Sequence, residues 1–386
     1  MSCVVYVINS FDRGGAEAGL IQMVRGGVFA GCRLIIVGLV RGTGGLEKRL
    51  GELGQPPQIL LDVPRMREKH MPLILFRLWK LLRQCAPDVV IASLPQANLL
   101  ARLSLLSSRR TTFVSFEHNT HLAKRAYEIG YRLTSRRVDW VFADAETTLR
   151  HALARLYRST PRMQRVVPLV SFARDGAAAD RTEDGRFRVV NAARFTSVKN
   201  QVALVEAAAI LRKAGRDVVM SLYGEGPELA ACRTRAQELG VADRIEFPGF
   251  APDWASRRAD LFVLSSHHEG LCLVVLEAMQ AGIPVAAPVI GGLQDYASDQ
   301  TVQVISDVQP QTLADSIVVA MEDREALRSR AAAAARMVEA RYGETVVRRV
   351  YREINELLIR SSALASGPLV ASDLDGSDSK AGFDAR

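Results

Sequence analysis

The chain has 386 residues, which predicts two domains of ordinary size, each large enough to bury its own core. Apolar residues make up 48% and charged residues 24%, which excludes a disordered chain, a collagen-like chain and a disulfide scaffold. The net charge of +8 is uneven: residues 1–170 carry 25 Lys and Arg against 12 Asp and Glu, about +13, and the remainder about −5.

The basic first half implies an anionic partner. No helix-turn-helix, zinc-finger or RNP signature accompanies the charge, so nucleic acid is the weaker reading. The five cysteines form no CxxC pair, as expected of a reducing cytosol. No secretory signal is read at the start of the chain. The longest uncharged stretch, 278–294, holds two prolines and three glycines and predicts no spanning helix. The expected localisation is cytoplasmic, with room for peripheral contact with a membrane face.

Taken in order, 3–9 reads as a buried strand, 10–15 as a glycine-containing turn, and a helix starts near 16. Strands follow at 34–39, 89–93, 111–116 and 140–143, with helices at 73–85 and 122–136. Strands alternating with helices imply a parallel sheet covered on both faces. Residues 171–185 lack an apolar period, and the linker is set at 173–185. The pattern restarts with strands at 187–192, 218–223, 245–247, 261–264 and 285–287, and helices at 200–213 and 228–239. Helix dominates from 310 to 361, Gly343 marks a break, and the last helix is expected at 345–359. The predicted domains are 1–172 and 186–342, with a helix at 343–361 packing back on the first domain and a disordered tail at 362–386.

The most informative stretch is SSHHEGLCLVVLEAMQAGIPVAAPVIGG, residues 265–292, at the end of an apolar strand. Ligands of open α/β sheets bind at such strand ends. Glu269-Gly270 falls in the turn, and a helix is expected from about Leu271, with Glu277 two turns further in. A helix N-terminus suits a diphosphate, and a buried carboxylate such as Glu277 is costly unless it accepts hydrogen bonds, which sugar hydroxyls can supply. Taken alone, the same pattern also fits a first-turn acid and an exposed helix residue.

Two glutamates separated by seven residues, followed by GIPVAAP and GG, resemble the retaining glycosyltransferases of the GT-B fold in family four. Four other segments match in the right order: SFDRGGAE at 10–17, FEHNTH at 116–121, AARFTSVKNQVALVEA at 192–207 and LYGEGPELAACRTRAQELGVADRIEFPGF at 222–250. The resemblance covers residues 1–360. It implies an α/β GT-B architecture, two Rossmann-like doubly wound domains facing a cleft, with C-terminal helices.

The resemblance also implies roles. Gly14 and Gly15 would approach the donor diphosphate; Gly224 and Gly226 would leave space near the phosphates; Phe250 would lie near the base. Arg194 and Lys199 would clamp the diphosphate, and Gly270, Leu271 and Cys272 would present the helix N-terminus. Glu277 would hold the ribose and Glu269 a donor-sugar hydroxyl. His118 would contact the sugar or acceptor side, with His121 less supported. Glu269, His118, Arg194 and Lys199 form the expected catalytic set. The chain departs from the pattern at Asp295, which would stand in for a glutamate after the GG pair, at VPLVSF (167–172) and at Cys272.

The activity implied is retaining transfer of a hexose from a UDP- or GDP-linked donor to a glycan acceptor, a lipid-linked oligosaccharide of cell-surface polysaccharide assembly. No metal and no cofactor are expected. A helix at 71–85 carrying Arg77, Trp79, Lys80 and Arg83 fits contact with an anionic membrane, and equally a core-packed helix with a basic edge. The alternatives are a soluble transferase with a small-molecule acceptor and a non-catalytic partner protein of the same fold. A nicotinamide oxidoreductase is disfavoured, because residues 9–15 lack the G-x-G-x-x-G spacing.

Overall fold

The computed structural model describes residues 1–364 except 13, 43, 109, 120–123 and 171–184, and the backbone alone at 362–364. His121, nearly all of the expected linker and the tail beyond 364 lie outside the described residues.

The first unit runs β1 (Cys3–Ile8), α1 (Gly15–Arg25), β2 (Arg33–Val40), α2 (Leu46–Glu52), β3 (Gln58–Leu61), α3 (Met71–Cys85), β4 (Val89–Ser93), α4 (Pro95–Ser104), β5 (Thr112–Glu117), α5 (Arg125–Thr134), β6 (Trp140–Ala143), α6 (Glu146–Leu156) and β7 (Met163–Val166). Its strands form one parallel sheet in the order β3-β2-β1-β4-β5-β6-β7. The order reverses between β1 and β4, which opens a crevice at their carboxyl ends. The sheet is covered on both faces, so β1 and β4 are buried throughout and apolar but for Ser93 at the end of β4.

The second unit runs β8 (Phe187–Ala192), α7 (Gln201–Lys213), β9 (Val218–Tyr223), α8 (Leu229–Glu238), β10 (Ile245–Gly249), β11 (Leu261–Val263), α9 (Leu273–Gln280), β12 (Val285–Ala287), β13 (Gln303–Val304), α10 (Pro310–Glu322), α11 (Arg324–Tyr342) and α12 (Glu344–Leu364). Its parallel sheet is ordered β10-β9-β8-β11-β12-β13, and the reversal falls between β8 and β11. Two doubly wound sheets, joined by contacts between their carboxyl-end loops, make the GT-B architecture.

One face of the first sheet is tiled by α3, α4, α5 and α6, with Ile74, Leu78, Leu100, Tyr131 and Leu149 in the shared core. On the other face α1 is joined by α12, although α12 follows the second unit in sequence. Val347, Tyr351, Ile354 and Leu358 enter the core built by Val4, Tyr6 and Ile8. Burying Tyr351 alone contributes about 2 kcal/mol. Its hydroxyl donates to the Pro168 carbonyl at 2.8 Å, and Asn355 donates to the carbonyls of Val28 and Ala30.

Three short strands, β3, β7 and β13, were absent from the sequence-based expectation. Each lies at the rim of its sheet or next to it and carries polar residues, for example Arg165 in β7. Nothing at these rims requires an unbroken apolar run.

Candidate functional site in the cleft

The expected residues gather at the carboxyl ends of both sheets. His118 follows β5 directly and is buried. Its Nε2 lies 2.7 Å from Ser93 Oγ at the end of β4, and its Nδ1 lies 3.4 Å from Asp144 Oδ2 at the end of β6. The ring packs on Phe116 with centroids 4.4 Å apart. Neither Nδ1 of His118 nor Oδ1 of Asp144 has a hydrogen-bond partner among the described residues. Orphaned polar atoms in a buried site suit a ligand hydroxyl.

Beneath His118, a buried network fixes the end of β5. Arg102 donates to Ser115 Oγ and to the Tyr157 hydroxyl, and Tyr157 donates to Glu117 Oε1 at 2.7 Å. The Arg102 guanidinium lies over the Tyr131 ring at 4.0 Å. Arg102 is fully buried, so the Glu117 carboxylate 3.6 Å away offsets a charge that would otherwise be costly.

From the second unit, Lys199 Nζ donates to both carboxylate oxygens of Glu269 at 2.7 Å. Lys199 lies in the loop after β8, Glu269 in the loop after β11, and Ser265 Oγ donates to the Lys199 carbonyl at 2.8 Å. Arg194, just past β8, is exposed. Helix α9 begins at Leu273, two residues later than expected, because Cys272 takes a left-handed conformation at its N-cap (φ 60°). Leu271 and Cys272 are buried, and the Tyr296 hydroxyl donates to the Leu271 carbonyl. Burial raises the Cys272 thiol well above its ordinary range, which keeps it protonated.

Gly270 closes the cleft. A Cβ there would fall inside the His118 carbonyl oxygen, and one on Gly292 would press on the Gly270 carbonyl and on Ala145. Gly15, opposite, lies close to Leu273, at the start of α9. Gly14 is the N-cap of α1, and a Cβ there would meet only its neighbour Glu17.

Gly224 and Gly226 are required as glycines by the fold of the second unit itself. Their φ angles are 131° and 154°, and side chains there would strike the carbonyl oxygens of Ala193 and Phe195. Their missing Cβ atoms make room for the Arg194 loop. Phe250 follows the end of β10 and is 46% exposed.

Glu277 lies one turn into α9, where its Oε2 accepts from the Trp254 indole at 2.9 Å. Trp254 fixes the carboxylate orientation and carries no local sequence signal. Asp295, which follows the GG pair, bonds within the protein. It turns across the cleft, where its carboxylate accepts from the Thr147 backbone N–H at 2.9 Å and from Thr147 Oγ1 at 2.5 Å. It therefore caps the N-terminus of α6 from the opposite unit, where unpaired N–H groups and the helix dipole favour an anion.

The two halves match two protein-family descriptions, "Glycosyltransferase Family 4" over residues 13–169 and "Glycosyl transferases group 1" over residues 177–338. The chain belongs to these glycosyltransferase families. This family member is similar to 2-deoxystreptamine N-acetyl-D-glucosaminyltransferase of Streptomyces fradiae, 33% identical over 39% of this chain and 37% of that one. It is also similar to 2-deoxystreptamine glucosyltransferase of Streptomyces kanamyceticus, 37% identical over 26% of this chain and 27% of that one. These matches, like that to the Vi polysaccharide biosynthesis protein of Salmonella typhi at 20%, span well under half of each relative's length. Among solved structures, Anabaena HepE in complex with UDP-glucose superposes with a TM-score of 0.75 at 17% identity, covering 92% of this chain and all of that one. Sucrose-phosphate synthase of Thermosynechococcus elongatus superposes with a TM-score of 0.76 at 16% identity, covering 94% and 100%. At these identities the superpositions establish the fold.

The family member adds a buried acid to the expected set. Glu17, at the start of α1, is 7% exposed and near Arg194 and His118. Burial pushes its carboxyl up to about 7; its own backbone N–H, Arg194 and His118 pull it back. Below about pH 4.5 the folded and unfolded chains both hold this proton. Between there and about pH 7 the folded chain keeps a proton that the unfolded chain releases, so stability falls as pH rises. The loss totals about 3 kcal/mol at about 1.4 kcal/mol per pH unit. Glu17→Gln is expected to melt close to the parent at pH 4 and clearly above it at pH 8. A difference in melting temperature that does not change with pH would refute this.

Among the described residues no cluster of three or more His, Cys, Asp or Glu could hold a metal ion. Nor is any helix among them long and apolar enough to cross a membrane.

Proposed function

We propose that the protein is a retaining, metal-independent hexosyltransferase that takes a nucleoside-diphosphate sugar as donor and a lipid-linked glycan as acceptor. The observation that carries this reading is the Lys199–Glu269 pair, set beside the α9 N-terminus, with the adjoining Gly270 against the His118 carbonyl at the carboxyl ends of both sheets. Lys199, Arg194 and the free N–H groups of α9 supply positive charge where a departing diphosphate gathers negative charge. Glu277, oriented by Trp254, receives ribose hydroxyls. Glu269 and His118 hold the sugar ring from opposite sides of the cleft.

In the transfer, the bond between the anomeric carbon and the phosphate oxygen breaks and the pair of electrons leaves with the diphosphate. The acceptor hydroxyl attacks from the same face, and its proton passes to the departing phosphate oxygen. Glu269 is bound through both oxygens to Lys199, which suits positioning better than covalent attack. UDP is the favoured nucleotide, because HepE, of the same fold, was solved with UDP and with UDP-glucose. A second reading, a small-molecule acceptor, draws on the 2-deoxystreptamine transferases among the curated relatives.

Thermal unfolding without added metal, across UDP, GDP, ADP and their sugars, tests the donor site. A midpoint rise with UDP is expected, and its loss in Glu277→Ala. No rise with any nucleotide, from a folded sample, would overturn the reading. The anomeric coupling of the product, read by NMR from an α-linked donor, reports retention; a β-linked product would overturn that part.

A further inference from the structure

The outer face of the first unit carries an unusual combination of side chains. On α3, Leu73, Phe76 and Trp79 are 44%, 57% and 36% exposed, and the Phe76 and Trp79 rings stack at 6.0 Å. On α5, Ile129 and Leu133 are exposed, and α4, packed between these helices, exposes Leu103. The inward residues Ile74, Leu78, Leu82 and Tyr131 already satisfy the core, so packing does not require this outer apolar stripe.

Cations surround the stripe. Residues 65–137 hold 14 Lys and Arg against four Asp and Glu, although Arg102 is buried in the core and Arg137 pairs with Asp139. All four acids are engaged: Glu68 with Lys124, Glu128 with Arg155, Asp88 with the Cys3 N–H, and Glu117 in the buried network. Lys80, Arg83, Arg132 and Arg136 are exposed, and Arg83 lies over the Trp79 ring at 5.2 Å. Aromatic and aliphatic side chains among unneutralised cations match an anionic bilayer surface, which receives rings at headgroup depth and attracts each cation.

We infer that the α3–α5 face docks on an anionic membrane surface. This rests on the lipid-linked acceptor proposed above and names where that acceptor's bilayer sits. Helix α5 is the next helix after His118 in the chain, so the docked face and the acceptor side of the cleft belong to neighbouring elements. The phosphatidylglycerol headgroup supplies the charge, and the acyl region receives Phe76 and Trp79.

The test uses the full chain with vesicles of phosphatidylcholine alone or with phosphatidylglycerol, and with no nucleotide or acceptor. Of the three tryptophans, Trp140 and Trp254 are buried, so emission changes report mainly on Trp79. Binding to the anionic vesicles is expected to be about tenfold or more tighter than to neutral ones, with a blue shift, and to weaken with salt. Phe76→Glu and the pair Lys80→Glu with Arg83→Glu change exposed positions and should leave the melting temperature near that of the parent. Each is expected to weaken vesicle binding about tenfold or more. No binding to anionic vesicles, or binding unaltered in both variants, would overturn the inference. So would concentration-dependent self-association that shifts Trp79 emission without lipid, because a second copy would then cover the face. The UDP-dependent midpoint needs no lipid, so the donor-site reading and the docking face fail separately.

Discussion

Lys199→Ala is expected to reduce the rate of transfer by between about 10² and 10³, the loss typical when one donor to a developing negative charge is removed. The same change leaves Glu269, with only 6% of its side chain exposed, without its cation. Stranding a buried charge in this way is destabilising by about 3–5 kcal/mol, discounted here because Lys199 itself is 26% exposed. A second variant separates the two effects. Adding Glu269→Gln to Lys199→Ala removes the stranded charge, so the melting temperature should recover while the activity does not. If activity recovered together with stability, the pair would be structural and the catalytic assignment wrong. Comparing both single variants with the double also measures their coupling, which is expected to be far from additive because the two side chains share one contact.

Gly270→Ala is the second large effect expected, and it should be an effect on rate. Gly270 is not among the glycines with positive φ, so alanine costs little in its own loop. The obstruction is the His118 carbonyl on the other side of the cleft. The new methyl group would hold the Glu269 loop away from His118 by a fraction of a bond length or more. Misplacement of about 1 Å at a reacting centre can lower the rate about a hundredfold. The expected result is that loss in kcat with little change in melting temperature. Gly224→Ala makes the contrast: φ is 131° and the obstruction is Ala193, inside the same unit, so strain there should appear as lost stability. An unchanged kcat for Gly270→Ala in a folded sample would show that the two units do not approach this closely during turnover.

The sequence made legible those parts of the fold that are fully buried. β1 and most of β4 read directly as apolar runs, because a parallel sheet covered on both faces tolerates little else. β13, two residues long and partly exposed, offered no such run. His118, Glu269 and Lys199 could be placed because each lies just beyond an apolar strand in a matching motif. Ser93 ends β4 and Asp144 follows β6, and the rule that sites form at strand ends would have found them. Trp254 could not be found so, since it meets Glu277 only through the fold of the second unit. The contact of Asp295 was hidden for a related reason. Its partner, Thr147, is 148 residues away in the opposite unit. Apolar period specifies which face of an element is buried; it does not specify which loop of one unit meets which loop of the other.

Helix α12 has a consequence for synthesis. The ribosome makes β1 more than 330 residues before α12, yet Tyr351 and Leu358 complete the core around Tyr6 and Val4. For the tens of seconds that separate the two, at ordinary elongation rates, the nascent first unit carries an uncovered apolar sheet face. That face, with Gly26 leaving the space that the Tyr351 ring fills, is the surface a chaperone would meet during translation. A chain interrupted before residue 344 would release the first unit with this surface still open.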